Sequence, residues 1–478
     1  MKKYITLILL TLSVTAYAQH EHHHMPMDSA ANAQRRKDMN PKEGIRKLEP
    51  RTDKMQQADT MMMSSQLSRD LPMSRNGSGS SWMPDETPVY GYMIHGKKWM
   101  SMVHGNITAR YTGQDIFKNG SRGGHEFDAP NWFMGMTQRK IGRNGLLGIN
   151  AMISLDPLLV GLDGYPLLYQ TGESYKGRKL VDRQHPHDLF AELNVSYAHR
   201  IAPNTDVYAS VGYPAEPALG PPVFMHRTAA SNNPDAPLQH HYADATHITF
   251  GVATLGFRYK NVKIEGSTFK GREPDEERYG FDAPKFDSYS MRLSYNPSSN
   301  WALQVSHGWL KDPEAMHAGH DVRLLTASAL YAKKLNEDSH FTASLVYGQN
   351  HVVGEGHTLP SALLESNLQL HRTALYGTYT FVRKNAEEFD LEQQFPGNPT
   401  FNINAATFGA NYILAQIKNT DLRLGAQATL NFSPTALRPL YGTTPVGLEV
   451  YLRINPSLMK IMSGHRHQKG MDMSGMKM

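Results

Sequence analysis

From residue 97 onward, apolar and polar residues alternate along the chain in many short stretches. The stretch GLEVYLRI (447–454) places aliphatic side chains at every second position: Leu448, Val450, Leu452 and Ile454. Stretches 421–432 and 287–295 alternate in the same way. A period of two means that successive side chains point to opposite faces, so the pattern predicts β-strands with one apolar and one polar face.

The connections between these strands distinguish two architectures, a soluble β-sandwich and an outer-membrane barrel. Short polar turns are predicted at 143–145, 202–205, 296–300, 335–339 and 418–421. Long loops are predicted at 156–184, 214–244, 271–286 and 351–360. Because short periplasmic turns that alternate with long external loops are typical of a barrel, residues 89–456 are predicted to form an all-β transmembrane outer-membrane barrel of about 16 antiparallel strands. This strand count requires one further tight turn near residues 371–373.

The two ends of the chain differ from this region. Residues 1–18 combine a basic start, an apolar run and an Ala-Tyr-Ala cleavage site, which predicts a secretory signal peptide and export towards the cell outer membrane. Residues 19–88 are polar and contain methionine and histidine clusters, and they are predicted to form a flexible periplasmic arm. Residues 457–478 are predicted to form a disordered tail rich in methionine and histidine.

Composition excludes several classes of protein. The chain contains 0 cysteines, so no disulfide framework supports it. Its net charge of +5 is mild and no run of five basic residues occurs, which argues against a nucleic-acid partner. The H-E-x-x-H match at 20–24 lies in the polar arm rather than on an ordered helix. We therefore predict a protein without enzymatic activity.

Methionine and histidine are unusually frequent, at 25 and 23 residues, and they cluster at both ends of the chain. Thioether sulfur and imidazole nitrogen are ligands expected for a copper ion, and thioethers favour Cu(I). Candidate ligands in the arm are His20, His22, His23, His24, Met25 and Met27. Candidate ligands in the tail are His465, His467, Met471, Met473, Met476 and Met478. The alternative is a solvated tail whose methionines have no role.

The first predicted strand, 97–111, carries further candidate ligands. Met100, Met102 and His104 share one face of this strand, and the opposite face is largely apolar. If the apolar face contacts lipid, the thioethers and the imidazole point into the lumen near the periplasmic mouth. The alternative is that methionine only fills space between the barrel wall and a plug.

Two long loops carry six further histidines. Their candidate ligands are His185, His187, Met225, His226, His240, His241 and His247. If these loops fold inward, their imidazoles would form a constriction that selects a cation. The alternative is a pair of loops held to the barrel wall by ordinary hydrogen bonds. In a third loop, 269–281, the charged side chains are expected to pair among themselves.

Several long stretches carry a resemblance to a known family. They include SLDPLLVGLDGYPLLYQTGE, VDRQHPHDLF, EPALGPPVFMHR, HHYADATHITFGVATLG and GREPDEERYGFDAPKFDSYSMRLSYNP. In these motifs the chain resembles a family of Gram-negative outer-membrane β-barrel proteins associated with copper and heavy-metal resistance. The two ends resemble the Met/His segments of copper-resistance proteins. The resemblance implies an exported barrel and suggests copper, but it transfers no catalytic residue.

The leading hypothesis is a barrel that binds copper, or a related heavy metal, and passes it across the outer membrane. One alternative is a barrel that only anchors metal-sequestering tails and does not conduct. A second alternative is a barrel enzyme acting on an envelope substrate, with His185, His187 or His226 as its base. The expected partners are outer-membrane lipid and the metal ion. A periplasmic copper carrier or efflux component would fit as a protein partner, although no residue identifies one.

Overall fold

The computed structural model of the protein describes residues 63–459. The predicted signal peptide, most of the predicted arm and almost all of the predicted tail lie outside the described residues. Within them, 16 antiparallel strand positions close into one barrel. This finding confirms the predicted all-β barrel and its strand count.

The barrel strands are numbered here along the chain. They are β1 (Met100–Gln114), β2 (Gly124–Asp128 continued by Asn131–Ile141), β3 (Gly145–Ile153), β4 (Phe190–Ala202), β5 (Thr205–Gly212), β6 (Val252–Tyr259), β7 (Val262–Phe269), β8 (Ser288–Ser298), β9 (Trp301–Leu310), β10 (Val322–Asn336), β11 (Ser339–Val352), β12 (Thr358–Leu370), β13 (Thr373–Asn385), β14 (Thr400–Ile417), β15 (Thr420–Phe432) and β16 (Val446–Pro456). Both segments of β2 pair with one side of β1, and β16 pairs with the other side and closes the barrel. The short strand Tyr92–His95 also pairs with the start of β1.

The other elements are short and lie in the N-terminal segment or in loops. The strands among them are Ser64–Ser65, Ser68–Pro72, Tyr165–Pro166, Ser174–Tyr175, Arg178–Lys179 and Arg183–Gln184. The α-helices are Asp156–Leu159, His240–Ala243 and Arg438–Tyr441. The 3-10 helices are Met73–Arg75, Phe224–His226, Ala245–His247, Ala315–His317, Glu387–Phe389 and Thr435–Leu437. In the described part of the chain, no helix is long and apolar enough to cross a bilayer.

Short turns and longer loops alternate around the barrel. The turns lie at 142–144, 203–204, 260–261, 299–300, 337–338, 371–372 and 418–419. They include every turn that the sequence predicts, and by the usual asymmetry of such barrels they mark the periplasmic end. The long loop predicted at 351–360 is wrong in extent, because β11 and β12 continue into it and leave only residues 353–357 between them.

The alternating strand pattern gives the wall two different faces. On β16, Val450 and Leu452 are 57% and 45% exposed and face outward. Their neighbours Tyr451 and Arg453 are buried and face the lumen. An apolar outer face around a closed barrel with a polar interior is the surface that a bilayer requires. The fold is therefore that of an outer-membrane barrel.

Loop 213–251 folds into the lumen and is held there by a buried ion-pair network. Arg227 contacts Glu365 of β12 at 2.9 Å and Asp244 of its own loop at 2.6 Å. The arginine is fully buried, and each of its charged partners is almost fully buried. Because removing one partner would leave a buried charge unpaired, this network fixes the loop against the wall.

The N-terminal segment 63–91 also lies inside the barrel, at the periplasmic end. Arg292 of β8 donates to the hydroxyl oxygen of Ser80 at 2.8 Å, and Asn296 donates to the carbonyl oxygen of Met83 at 2.9 Å. The prediction of a flexible arm over residues 19–88 is therefore wrong for residues 63–88. Their polar groups find partners on the polar inner wall, which a reading of hydrophobicity alone does not reveal.

Candidate metal centre

Five histidines meet in the lumen, and we call them the histidine cluster: His185, His187, His240, His241 and His247. Loop 154–189 supplies the first two and loop 213–251 the other three. Ring centroids of neighbouring members are between 4.9 Å (His240–His247) and 6.4 Å (His185–His187) apart. The potential ligand atoms of His185, His240 and His241 all lie within 4.8 Å of one another.

Contacts with the barrel wall place both loops. The helix His240–Ala243 lies close to β11 because Gly348 has no side chain there. A Cβ atom at Gly348 would lie 1.9 Å from the carbonyl oxygen of Tyr242. The other loop is held by Asp156, which accepts a hydrogen bond from the backbone N–H of Asn131 in β2 at 2.9 Å. The position of the histidine cluster therefore depends on the closed barrel.

In three members of the histidine cluster the Nδ1 atom faces an oxygen acceptor. His240 Nδ1 lies 2.6 Å from Oδ1 of Asp244, and His187 Nδ1 lies 2.7 Å from Oδ2 of Asp156. His247 Nδ1 lies 3.0 Å from the carbonyl oxygen of Asp244. Carboxylate and carbonyl oxygens only accept, so Nδ1 carries the proton and Nε2 keeps its lone pair. Metal-binding histidines commonly have this arrangement, in which an oxygen acceptor orients the ring.

The Nε2 atoms of all five members of the histidine cluster are buried and have no hydrogen-bond partner among the described residues. A buried polar atom without a partner costs about 1–3 kcal/mol, so these lone pairs favour a ligand, and His185, His240 and His241 are the members close enough to share one. A cavity of about 10 Å³ lies among these rings. That is roughly the space of one water-sized sphere, and therefore of one metal ion.

Burial favours the neutral form of four members of the histidine cluster, His185, His240, His241 and His247. It lowers the pKa of His241 to about 4, and it lowers the pKa values of His185 and His247 well below the usual range for histidine. Burial also lowers the pKa of His240, against the opposing effect of Asp244. Neutral imidazole is the form that binds metal, so these four rings need to release no protons before they bind a cation near neutral pH.

Buried carboxyl groups and an arginine surround the histidine cluster. Arg278 bridges Glu173 and Asp188, and its Nη1 lies 3.4 Å from Oδ2 of Asp188. Burial raises the pKa of Asp188 to about 7 and the pKa of Glu273 to about 7. A nearby cation would favour the ionised form of both groups. The pairing expected within loop 269–281 is therefore wrong for Arg278, which reaches back to loop 154–189.

A second group of candidate metal ligands lies on the inner wall, nearer the periplasmic end. Met102 on β1 is directly paired with Met136 on β2, and His104 is paired with Met134. Met152 on β3 is paired with Met134 in turn. These four methionines are at most 5% exposed. Directly paired side chains on one face lie close together, with Cβ atoms roughly 4.5–5.5 Å apart.

The wall faces a cavity of about 140 Å³, which we call the methionine cavity. Met225 and His226 of loop 213–251 line its other side. The ring centroids of His226 and His104 are 5.4 Å apart, and the Nε2 atom of His104 is buried without a hydrogen-bond partner among the described residues. Burial lowers the pKa of His226 to about 4. The methionine cavity thus offers soft sulfur ligands beside the imidazole nitrogens of His104 and His226.

The cavities of the lumen follow one another. An outer vestibule of about 220 Å³ shares Glu173, His241 and Glu273 with the cavity of the histidine cluster. The cluster shares His185 and His187 with a middle cavity of about 60 Å³. The middle cavity in turn shares Met225 and other side chains with the methionine cavity. A series of polar and thioether-lined spaces therefore runs from the outer loops towards the periplasmic end.

The structure brings together the predicted ligands of the barrel in two groups. The histidine cluster and the methionine cavity contain all of these candidates except Met100, which is half-buried and packs at the edge of the methionine-rich core. The candidates in the arm and in the tail lie outside the described residues. Metal binding itself stays a prediction.

The sequence analysis missed Asp156 and Met152, because neither stands in a local motif that marks its partner on another strand or loop.

Comparisons with known proteins find only distant likenesses in shape. No family profile and no curated protein matches the sequence. Among solved structures, Salmonella typhi OmpF in complex with daunomycin is 10% identical, with a TM-score of 0.45 over 76% of this chain and 100% of that chain. An anion-selective porin from Comamonas acidovorans is 11% identical, with a TM-score of 0.43 over 75% of this chain and 100% of that chain. At these values the structural similarity does not indicate which solute this protein binds or passes.

Proposed function

We propose that this protein is an outer-membrane barrel that binds copper in its lumen and passes it between the two ends of the barrel. The observation that supports the proposal most strongly is the set of five buried Nε2 lone pairs in the histidine cluster. Imidazole is a good ligand for copper, and the thioethers of the methionine cavity favour Cu(I) over harder divalent cations. Copper is here the cargo of the barrel rather than a resident cofactor.

The series of cavities supports passage rather than storage. Conduction requires several sites that bind strongly enough for the ion to enter and weakly enough for it to leave. The vestibule offers carboxylates, the histidine cluster offers imidazoles, and the methionine cavity offers mainly thioethers. An ion that moves inward would exchange oxygen and nitrogen ligands for sulfur. The folded loops and the segment 63–91 occupy the rest of the lumen, which would restrict the passage of larger solutes.

Uptake by vesicles tests the proposal. The full-length protein would be reconstituted in lipid vesicles that contain an impermeant colorimetric Cu(I) chelator, and Cu(I) would be supplied outside with a reductant. Two double variants remove one site each: His185→Ala with His240→Ala, and Met102→Leu with Met134→Leu. We expect each to lower the initial rate of uptake at least tenfold. The matched control is His125→Ala, since His125 is exposed at the outer end of β2.

Two results would overturn passage through these sites. Uptake by both double variants at the wild-type rate would show that neither site is on the path of the ion. Wild-type uptake no faster than that of protein-free vesicles would favour a barrel that only anchors metal-binding ends. In that second case, the difference in copper bound per chain between the wild type and the His185→Ala, His240→Ala variant after gel filtration would still show whether the histidine cluster binds the ion.

A further inference from the structure

A separate group of metal-binding side chains lies among the outer loops: His317, His320 and Glu355. The two histidines belong to loop 311–321 between β9 and β10, and Glu355 belongs to the connection 353–357 between β11 and β12. None of the three is among the ligands predicted from the sequence. They come from separate connections, so only the closed barrel brings them together.

The geometry of this group resembles a binding site without its ion. His317 Nε2 lies 2.5 Å from Oε1 of Glu355, and His320 Nδ1 lies 3.4 Å from the same oxygen. The two imidazole centroids are 4.4 Å apart. Neighbouring ligand atoms of a tetrahedral Zn²⁺ ion, with bonds of about 2.0–2.2 Å, are roughly 3.3 Å apart. Small side-chain movements would therefore place all three ligands around one cation.

A further carboxylate orients His317. Its Nδ1 atom lies 2.7 Å from Oε1 of Glu387, in the loop between β13 and β14. A carboxylate on one ring nitrogen fixes the ring and strengthens the other nitrogen as a ligand. In the structure, a hydrogen bond to Glu355 occupies that other nitrogen, and a cation would replace the bridging proton. Glu387 is itself partly neutralised by Lys179, at 3.3 Å.

The group stands at the outer vestibule. His317, His320 and Glu387 line it, and its inner wall includes Glu273 and His241, next to the histidine cluster. The side chains of His317 and Glu355 are 19% and 20% exposed, so an ion from outside the cell can reach them. An ion released from this group would therefore enter the vestibule that leads to the histidine cluster.

We infer that His317, His320 and Glu355 form a surface site for one borderline divalent cation, such as Zn²⁺ or Cu²⁺, at the outer mouth of the barrel. Two imidazoles and one carboxylate are a common ligand set for such ions. Binding at this site does not depend on the proposed copper passage. Only its role as a loading site for the histidine cluster rests on that proposed function.

Chemical modification of His320 can test this site in the full-length protein. The side chain of His320 is 39% exposed, so diethyl pyrocarbonate should modify it in metal-free protein. Trypsin cleavage after Lys311 and Arg323 isolates a peptide, 312–323, whose only histidines are His317 and His320. Fragment spectra of this peptide then measure the modification of His320 without interference from other histidines. Zn²⁺ alone is the probe.

We expect saturating Zn²⁺ to slow the modification of His320 at least tenfold. The variants Glu355→Gln and His317→Ala should each raise the Zn²⁺ concentration for half-protection at least tenfold, because each removes one ligand. Modification of His125 should not depend on Zn²⁺, and His125→Ala should leave the protection of His320 unchanged. Equal modification rates of wild-type His320 with and without Zn²⁺ would overturn the site. Unchanged half-protection in both variants would overturn the proposed ligand set.

Discussion

The substitution Asp244→Asn tests whether the orientation of the imidazoles, and not only their presence, makes the histidine cluster a metal site. Asp244 joins two groups through its two carboxylate oxygens. Oδ1 lies 2.6 Å from Nδ1 of His240, and Oδ2 lies 2.6 Å from Nη1 of Arg227. Although burial acts in the opposite direction, Arg227 and His240 lower the pKa of Asp244 to about 2. The carboxylate is therefore ionised and only accepts.

An asparagine at this position has one acceptor and one donor. Arg227 can only donate, so it takes the amide oxygen, and the amide NH₂ group is left facing His240. His240 then has to accept a hydrogen bond at Nδ1. Its proton therefore moves to Nε2, and Nε2 can no longer bind a metal ion. Loss of an orienting partner typically lowers metal affinity 10–100-fold. Because the tautomer itself changes here, we expect a loss of affinity at the upper end of this range, roughly 100-fold or about 2.7 kcal/mol.

The affinity can be measured by competition with a colorimetric Cu(I) chelator. Subtracting the isotherm of the His185→Ala, His240→Ala double variant from that of the full chain isolates the contribution of the histidine cluster. The matched control is Asp421→Asn, since Asp421 is a buried carboxylate that pairs with Arg423 at 2.9 Å on β15. It should leave Cu(I) affinity unchanged. Equal affinities of Asp244→Asn and wild type would refute the role assigned to the tautomer.

Three further predictions follow from other features of the lumen. Between pH 7 and pH 5 the buried imidazole of His241 should stay neutral, so copper binding by the histidine cluster should weaken less than binding at an exposed histidine site, which loses affinity below about pH 6.5; isotherms at pH 7 and pH 5 compare the two. Met102→Leu with Met134→Leu should abolish Cu(I) binding in the methionine cavity, as measured by titration. In denaturant unfolding, each substitution should change the free energy of unfolding by less than about 1.5 kcal/mol. Gly348→Ala should push the carbonyl of Tyr242 away from β11 and weaken copper binding by the cluster at least tenfold, whereas Gly135→Ala, whose Cβ would meet nothing within 4 Å, should have no effect in the same titration.

The histidine cluster also shows how a buried polar site is kept intact in this barrel. Arg227 is bound by both Glu365 and Asp244, so loop 213–251 is fixed by a fully desolvated ion-pair network. The hydrogen-bonded loop that the sequence analysis offered as an alternative is therefore present. It does not exclude a metal site, because the same Asp244 that helps to fix the loop orients His240.

The sequence by itself predicted the barrel and most of its periplasmic turns. That was possible because every second residue of a barrel strand faces lipid and the others face the lumen, so the alternation is visible in a short stretch of sequence. The direction of Met102 and His104 followed from the same rule, and both line the methionine cavity. Histidine-rich loops were recognisable from composition alone.

Only the tertiary structure decided which of these side chains meet. The residues that surround the histidine cluster come from different connections. Asp156 contacts His187 within one folded loop, whereas Arg278 contacts Asp188 from another loop. The outer group of His317 and Glu355 joins two further connections. No short-range pattern encodes such meetings, because the loops carry no periodicity and their positions depend on closure of the barrel. The sequence thus determined the wall and the chemistry available inside it, and closure of the barrel determined which groups form a site.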